Sequence, residues 1–381
     1  MAMVKIAIVQ EYVPMYRQPF FEQLIQLLDL HGIECRVFAG NPNKVQAKRN
    51  DGFESTFIRK VNQREYRVFG KRVVVSDVLD ELAEFDMVIF EQARRNLALY
   101  RILARRGLIR RSNSRPRQVL GLWGHGRDYA TKSGTVTRLL MAQITNQVDW
   151  FFGYTQDSVE HVVSQGFERS RTTTVENSID TKNLLADLQR APHRSSQDTV
   201  TTNLCYIGAL DSSKNIPMVL SCAELVHRGN PQVRLTILGD GEASGDVEEY
   251  CSVREWASYR GHSTGKEKAE VLAKSQLILN PGRIGLIALD SLTAGVPIAT
   301  TDYGLHAPEY AYLDPGLTCA VFSGDDESYA RGVTELLSDR ELLSRMQQNC
   351  IDKRGNYSIE NMAKNFADGI RAALKMNLSS A

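Results

Sequence analysis

Asn280-Pro281-Gly282-Arg283-Ile284-Gly285-Leu286-Ile287-Ala288-Leu289-Asp290-Ser291-Leu292-Thr293-Ala294-Gly295-Val296-Pro297-Ile298-Ala299 is the stretch from which the rest of the chain can be read. The apolar run Gln276 to Asn280 enters it as a strand, a glycine turn follows, and a helix is expected from about Gly285 or Leu286 to Ala294. Pro297 to Thr300 then reads as the next strand, so the stretch is one strand–helix–strand unit of a parallel sheet. The first backbone N–H groups of a helix have no partner within it, so this helix start can hold an anion, and a diphosphate suits it. Asp290 projects from the same helix and is placed to bond ribose hydroxyls.

The same alternation extends in both directions. Towards the amino end, Asn203 to Ile207 and Val233 to Leu238 read as strands, Ile216 to Arg228 as a helix, and a further helix is expected near Val247 to Ala257. Before the polar stretch His193 to Thr202, which reads as a linker, the pattern occurs once more. Val4 to Val9, Glu34 to Phe38, Met87 to Phe90 and Val119 to Trp123 are strands of a type buried on both faces, with a helix from Gln18 to Leu30 between the first two. The expectation is an α/β protein of two Rossmann-like, doubly wound domains facing a cleft, residues 1–190 and 191–355. Ligands of such sheets lie at the carboxyl ends of the strands.

Composition narrows the class. With 381 residues, 43% of them hydrophobic and 24% charged, the chain is globular and too long for one core. No apolar run reaches the length of a membrane span, and the amino-terminal MAMVKIAIVQEY lacks the pattern of a secretory signal. Six scattered cysteines without CxxC spacing suggest neither zinc nor a disulfide framework, and a cytoplasmic location is expected. The first half is basic, with 28 Lys and Arg against 21 Asp and Glu through Arg190, and the remainder is acidic, 18 against 24. An anionic surface or acceptor is therefore expected at the first half.

The quoted stretch resembles the corresponding segment of the family 4 retaining glycosyltransferases, which have the glycosyltransferase B (GT-B) fold. Gly285-Leu286, Asp290, Gly295 and Pro297 match by position, and Asp290 stands for the acid that binds the nucleotide ribose. The family's other acid, which holds a hydroxyl of the donor sugar, is missing: its position is Gly282. Tyr206-Ile207-Gly208-Ala209-Leu210-Asp211-Ser212-Ser213-Lys214 is similar to the family's Gly-Arg-Leu…Lys segment, whose arginine and lysine neutralise the departing diphosphate. Lys214 is in place from Gly208, while the arginine position holds Ala209. Arg283, in the loop beside the phosphates, is either the replacement cation or a solvated surface residue. Gly261 falls in a segment similar to the one lining the nucleobase pocket, and Glu309 aligns with the family's glutamate after the Gly-x-Pro strand, His306 being extra. The resemblance also implies a carboxyl-terminal helix, residues 356–381, packed back on the first domain.

In the first half the resemblance is thinner. His125, between Gly124 and Gly126 at the end of a strand, matches a histidine that reaches the donor sugar; the other reading is a structural histidine. Tyr16 and Arg17 open the loop after the first strand and, with Asp128, are the candidate acceptor contacts; for Arg17 the diphosphate is the other candidate ligand, and the remaining reading is a helix-start arginine paired on the surface. Arg101 to Arg117 carries seven arginines and no acid. Leu99, Ile102, Leu103 and Ile109 fall on one side of a helix there, so it either lies on anionic membrane as a peripheral contact or is a solvated basic face. No zinc finger, RNP or helix-turn-helix pattern accompanies the charge, and no nucleic-acid partner is expected.

The reading that follows is a metal-independent, retaining transferase with His125, Lys214 and Arg283 as catalytic residues. Gly208, Lys214, Gly261, Arg283, Gly285, Leu286, Asp290 and Glu309 would bind a UDP- or GDP-sugar as substrate. The acceptor would be a hydroxyl of a glycan, a lipid-linked sugar or a small metabolite. No cofactor or metal is expected. Two other readings stay open: a nucleotide-sugar epimerase or hydrolase of the same fold, which would need several carboxylates for proton transfer, and a catalytically silent relative that binds sugar nucleotides.

Overall fold

The computed structural model describes residues 3–43, 52–93, 95–109, 118–127, 135–192 and 201–379. Asp128, the arginines from Arg110 to Arg117 and the polar stretch 193–200 lie outside them. The chain forms two compact units, one of residues 1–177 with 359–381 and one of residues 178–358.

The first unit contains strands β1 (Val4–Gln10), β2 (Ile33–Ala39), β3 (Ile58–Lys60), β4 (Gln63–Val68), β5 (Lys71–Ser76), β6 (Met87–Glu91), β7 (Val119–Gly124), β8 (Trp150–Gly153) and β9 (Thr172–Thr174). Its helices are α1 (Gln18–Asp29), α2 (Leu97–Ile109), α3 (Thr135–Asn146) and α4 (Gln156–Ser164). Seven of the strands form a parallel sheet in the order β3-β2-β1-β6-β7-β8-β9. Successive side chains of a strand point to opposite faces, and both faces of β1 are covered. Ile6 and Ile8 enter one core with Phe20, Phe21 and Trp123, whereas Ala7 and Val9 enter another with Phe90, Leu99 and Phe151. Strands buried on both sides read as unbroken apolar runs, which is why they were visible in the sequence.

The second unit opens with helix α5 (Thr181–Arg190) and continues with β10 (Thr202–Ile207), α6 (Ile216–Gly229), β11 (Val233–Leu238), α7 (Ser244–Ser252), β12 (Ala257–Tyr259) and α8 (Gly265–Lys274). It ends with β13 (Leu277–Leu279), α9 (Ile287–Ala294), β14 (Ile298–Thr301), β15 (Cys319–Phe322), α10 (Asp326–Ser338) and α11 (Arg340–Lys353). The sheet is parallel, in the order β12-β11-β10-β13-β14-β15. Strand order reverses between β10 and β13, so the loops that follow those two strands leave side by side.

Several expectations need adjustment. The helix expected near Val247 to Ala257 is α7, which ends at Ser252; Ala257 already belongs to β12. Three structured residues there leave no periodicity to read. Helix α9 begins at Ile287, because the turn before it is closed by shorter bonds, from Ala288 N–H to Gly285 O and from Leu289 N–H to Leu286 O. The division between units falls after Asn177 and not after Arg190, because Leu184 and Leu188 of α5 pack with Ala269, Leu272 and Leu292 of the second unit. The last helix, α12 (Ile359–Ser379), is far from the first unit in sequence but belongs to it. Its Phe366 stacks on Phe152 at 4.4 Å and meets Trp123 edge-on at 5.0 Å.

The apolar side of α2 faces inward: Leu99 is buried and Ile102 and Leu103 pack against the core. Arg106 is ion-paired with Asp149. Leu99, Ile102 and Leu103 are thus engaged with the core, while the side chain of Ile109 lies outside the described residues.

Candidate functional site

In the second unit three loops at the carboxyl edge of the sheet are tied together by main-chain groups. After β10, Asp211 caps a single 3-10 turn, Ser212–Lys214, by accepting from Ser213 N–H at 2.9 Å. The loop after β13 lies directly against that turn. Arg283 N–H donates to Ser213 O at 2.8 Å, and Lys214 Nζ donates to Arg283 O at 2.6 Å. The approach is close enough that only glycine fits at 282: a Cβ there would sit 2.5 Å from Ser213 O and 2.6 Å from Lys214 Cα. The third loop follows β14. Its His306 accepts through Nδ1 from Ile284 N–H at 3.1 Å, and Ala307 N–H donates to Ile284 O at 2.8 Å.

With the amides of Arg283 and Ile284 engaged, those of Gly285, Leu286 and Ile287 have no acceptor among the described residues. They are the orphan donors of the α9 start, and the positive end of the helix dipole adds to them. Lys214 is half-buried. Burial holds its ammonium below the usual lysine range, with Arg283 acting in the same direction and Asp211 and Glu309 against it. Glu309 is 4% exposed and lies in the 3-10 turn Pro308–Tyr312. The Arg283 side chain is half-buried and makes no hydrogen bond or ion pair among the described residues.

Asp290 is 7% exposed on α9, and its Oδ1 accepts from Lys268 Nζ of α8 at 2.7 Å. Sequence reasoning missed Lys268, because a partner on another helix leaves no trace in local spacing. His306 was also unexplained by the sequence. It stacks on Tyr310, ring centroids 4.0 Å apart, and burial with the charges of Lys214 and Arg283 pushes its pKa down to about 4. It is thus a neutral imidazole, as an acceptor of the Ile284 amide must be.

This has a consequence for stability. A histidine that titrates near 6.5 unfolded but about 4 folded leaves stability intact above 6.5 and removes it as pH falls towards 4, because the unfolded chain takes up the proton first. Melting temperature followed across that window should decline, and His306→Gln, which can still accept from Ile284 N–H, should flatten the decline. An unaltered slope in the variant would show that His306 is not the group responsible.

Of the remaining second-unit candidates, Gly208 directly follows β10, and Gly261 accepts from Gly239 N–H at 2.8 Å. In the first unit Arg17, His125 and Tyr154 follow β1, β7 and β8, hence one edge of a parallel sheet. Arg17 is 5% exposed, donates to Tyr154 Oη at 2.8 Å and lies 4.4 Å over the Trp123 ring. Tyr16 is 39% exposed, with the Arg17 guanidinium 5.4 Å from its ring. Arg17 is consequently not a surface-paired arginine; aromatic faces enclose it. His125 packs on Tyr154 with centroids 4.1 Å apart. Tyr16, Arg17 and His125 thus lie around shared aromatic rings, while Asp128 lies outside the described residues.

Residues 201–339 match the protein family described as Glycosyl transferases group 1. No curated protein matches the sequence. Among solved structures the chain is similar to a glycosyltransferase from Rickettsia africae, with 12% identity, TM-score 0.67 and all of both chains covered. It is similar to Anabaena HepE, solved in complex with UDP and glucose, with 12% identity, TM-score 0.62, 97% of this chain and 99% of that one. It also resembles sucrose-phosphate synthase from Thermosynechococcus elongatus, with 14% identity, TM-score 0.64, 97% and 98% covered. At such identities the likeness is one of architecture: two Rossmann-like units of the GT-B fold.

Proposed function

We propose that the protein transfers a sugar from a nucleoside-diphosphate sugar to a hydroxyl acceptor, with retention of configuration and without a metal ion. The observation that carries this reading is the second-unit loop cluster, where three amides and an arginine side chain that have no partner among the described residues, and a half-buried lysine, converge near a carboxylate on the helix that the amides begin. Amides and cations suit a diphosphate, and Asp290, held by Lys268, suits the ribose diol. Complexes of Anabaena HepE with UDP and glucose and the family match over 201–339 support the donor class.

In the proposed reaction the bond from the sugar's anomeric carbon to the diphosphate breaks while the acceptor oxygen bonds to the same face. The acceptor proton leaves with the departing phosphate. Lys214, Arg283 and the amides of Gly285 to Ile287 stabilise the charge that grows on that phosphate. His125 would touch the donor sugar, with Tyr16, Arg17 and Asp128 on the acceptor. Incubation with a panel of nucleotide sugars, following nucleoside diphosphate release with and without acceptor extract, tests the reading. Release that needs acceptor supports transfer, release or rearrangement without it indicates a hydrolase or epimerase, and binding without turnover indicates a silent relative. Anomeric coupling in the product and activity in the presence of chelator test retention and metal independence.

Asp290→Ala should weaken nucleoside diphosphate binding about ten- to a hundredfold, the worth of hydrogen bonds to a charged acceptor. Because the change also strips Lys268 of its partner, Asp290→Asn is the companion variant. Calorimetry showing unchanged affinity in both would remove Asp290 from the ribose site.

A further inference from the structure

β4 and β5 form a two-stranded antiparallel ribbon separate from the main sheet of the first unit. Its register sorts the side chains onto two faces. Ser76, Val74 and Arg72 share one face with their partners Gln63, Glu65 and Arg67. That face is turned to the body of the unit: Val74 and Ser76 are each 2% exposed, Glu65 is ion-paired with Arg72, and Arg72 also pairs with Glu11. The opposite face carries Arg64, Tyr66, Val68, Lys71, Val73 and Val75. It holds no acid, Tyr66 and Val68 are about half exposed, and neither Arg64 nor Lys71 makes an ion pair among the described residues.

The tip is the two-residue turn Phe69-Gly70, with φ +48° and +73°. Both angles positive is the arrangement for which Asn-Gly or Asp-Gly is favoured, because a bulky side chain in the left-handed region is strained. Here a phenylalanine occupies it, and its side chain is 100% exposed. Folding gains nothing from that residue at that place, neither burial nor easy backbone geometry.

We propose that the β4–β5 ribbon is a membrane-docking element, which inserts Phe69 with Val68 and Tyr66 at the surface of an anionic bilayer while Arg64 and Lys71 meet lipid phosphates. Charge complementarity identifies the occupant: an apolar and aromatic tip flanked by cations that have no ion-pair partner among the described residues, with the ribbon's one acid neutralised on the other face, matches the boundary between headgroups and acyl chains. Helix α2 packs beside β5, and Val74 N–H donates to Arg95 O just before that helix. The ribbon supplies the apolar anchor. The inference is independent of the transferase reading, since docking is measured without donor or acceptor.

The test is sedimentation of the full chain with vesicles of equimolar phosphatidylglycerol and phosphatidylcholine, and with phosphatidylcholine alone. Salt-sensitive binding to the anionic vesicles only is expected. Phe69→Asn, which suits the turn better, should not lower the melting temperature and should reduce vesicle partitioning about tenfold. Arg64→Gln with Lys71→Gln should reduce it by a similar factor and remove most of the salt dependence. Wild-type protein that ignores anionic vesicles, or variants that bind as wild type does, would overturn the proposal. So would a wild-type dimer abolished by Phe69→Asn without vesicle binding, which would assign the tip to a second copy of the chain.

Discussion

Arg283→Ala should lower sugar transfer by about a hundredfold or more, the usual effect of removing one preorganised charge from the place where an oxyanion develops. The family's arginine is absent at Ala209, so without Arg283 a leaving diphosphate would face Lys214 as its one side-chain cation in this loop cluster. The main chain of Arg283 is held on both sides, its N–H on Ser213 O and its carbonyl on Lys214 Nζ, while its guanidinium has no partner among the described residues. Its charge is felt by both Lys214 and His306, whose protonated forms it disfavours. A cation held at its root and unsatisfied at its head is suited to an anion that arrives with the substrate. Ala209 is exposed, so Ala209→Arg adds a cation without crowding the core and should recover part of the loss in the Arg283→Ala background. Steady-state kinetics with the donor found by the nucleotide-sugar panel decide the matter. Full activity in Arg283→Ala would end the idea of compensation.

Gly282→Ala should cost about 1 to 3 kcal/mol of stability and lower transfer more than tenfold. The atoms a Cβ would meet belong to the main chain of Ser213 and Lys214, which cannot swing aside as a side-chain end could. Relief would require the two loops to part, breaking the bonds from Arg283 N–H to Ser213 O and from Lys214 Nζ to Arg283 O together. Gly282→Glu, which places the family's acid at this position, should therefore be worse and not better. The missing acid is a consequence of how tightly these two loops approach in this chain. Chemical denaturation and donor turnover measured on both variants check this. A Gly282→Glu protein with raised activity would show that the loops can separate at little cost.

Fold class was legible because doubly covered strands must be apolar throughout, as Ile6 to Val9 and Leu204 to Ile207 are, and because amphipathic helices such as α1 and α6 keep their period. The β4–β5 ribbon escaped notice: β4 mixes charged and apolar residues and is almost wholly exposed, so it lacks the unbroken apolar run of a buried strand, and Phe-Gly is not a typical turn signal. In the candidate site, the glycine turn, Lys214, Arg283 and Asp290 stood out through residue type and spacing. The partners that define their state did not: Lys268 lies 22 positions before Asp290, and Arg283 O lies 69 positions after Lys214 Nζ.

By itself the sequence determined the strand–helix rhythm, the doubled parallel-sheet architecture and a helix start fit for an anion, since all three are written in patterns a few residues long. Only the tertiary structure decided that α5 sits with the second unit and α12 with the first, that the apolar side of α2 is spent on the core, that Arg17 is enclosed by aromatic rings, and that Gly282 is obligatory. Periodicity says which side of an element is apolar, but not what covers it. That depends on which distant segments the sheet order brings to the same edge, and on how closely their main chains can approach.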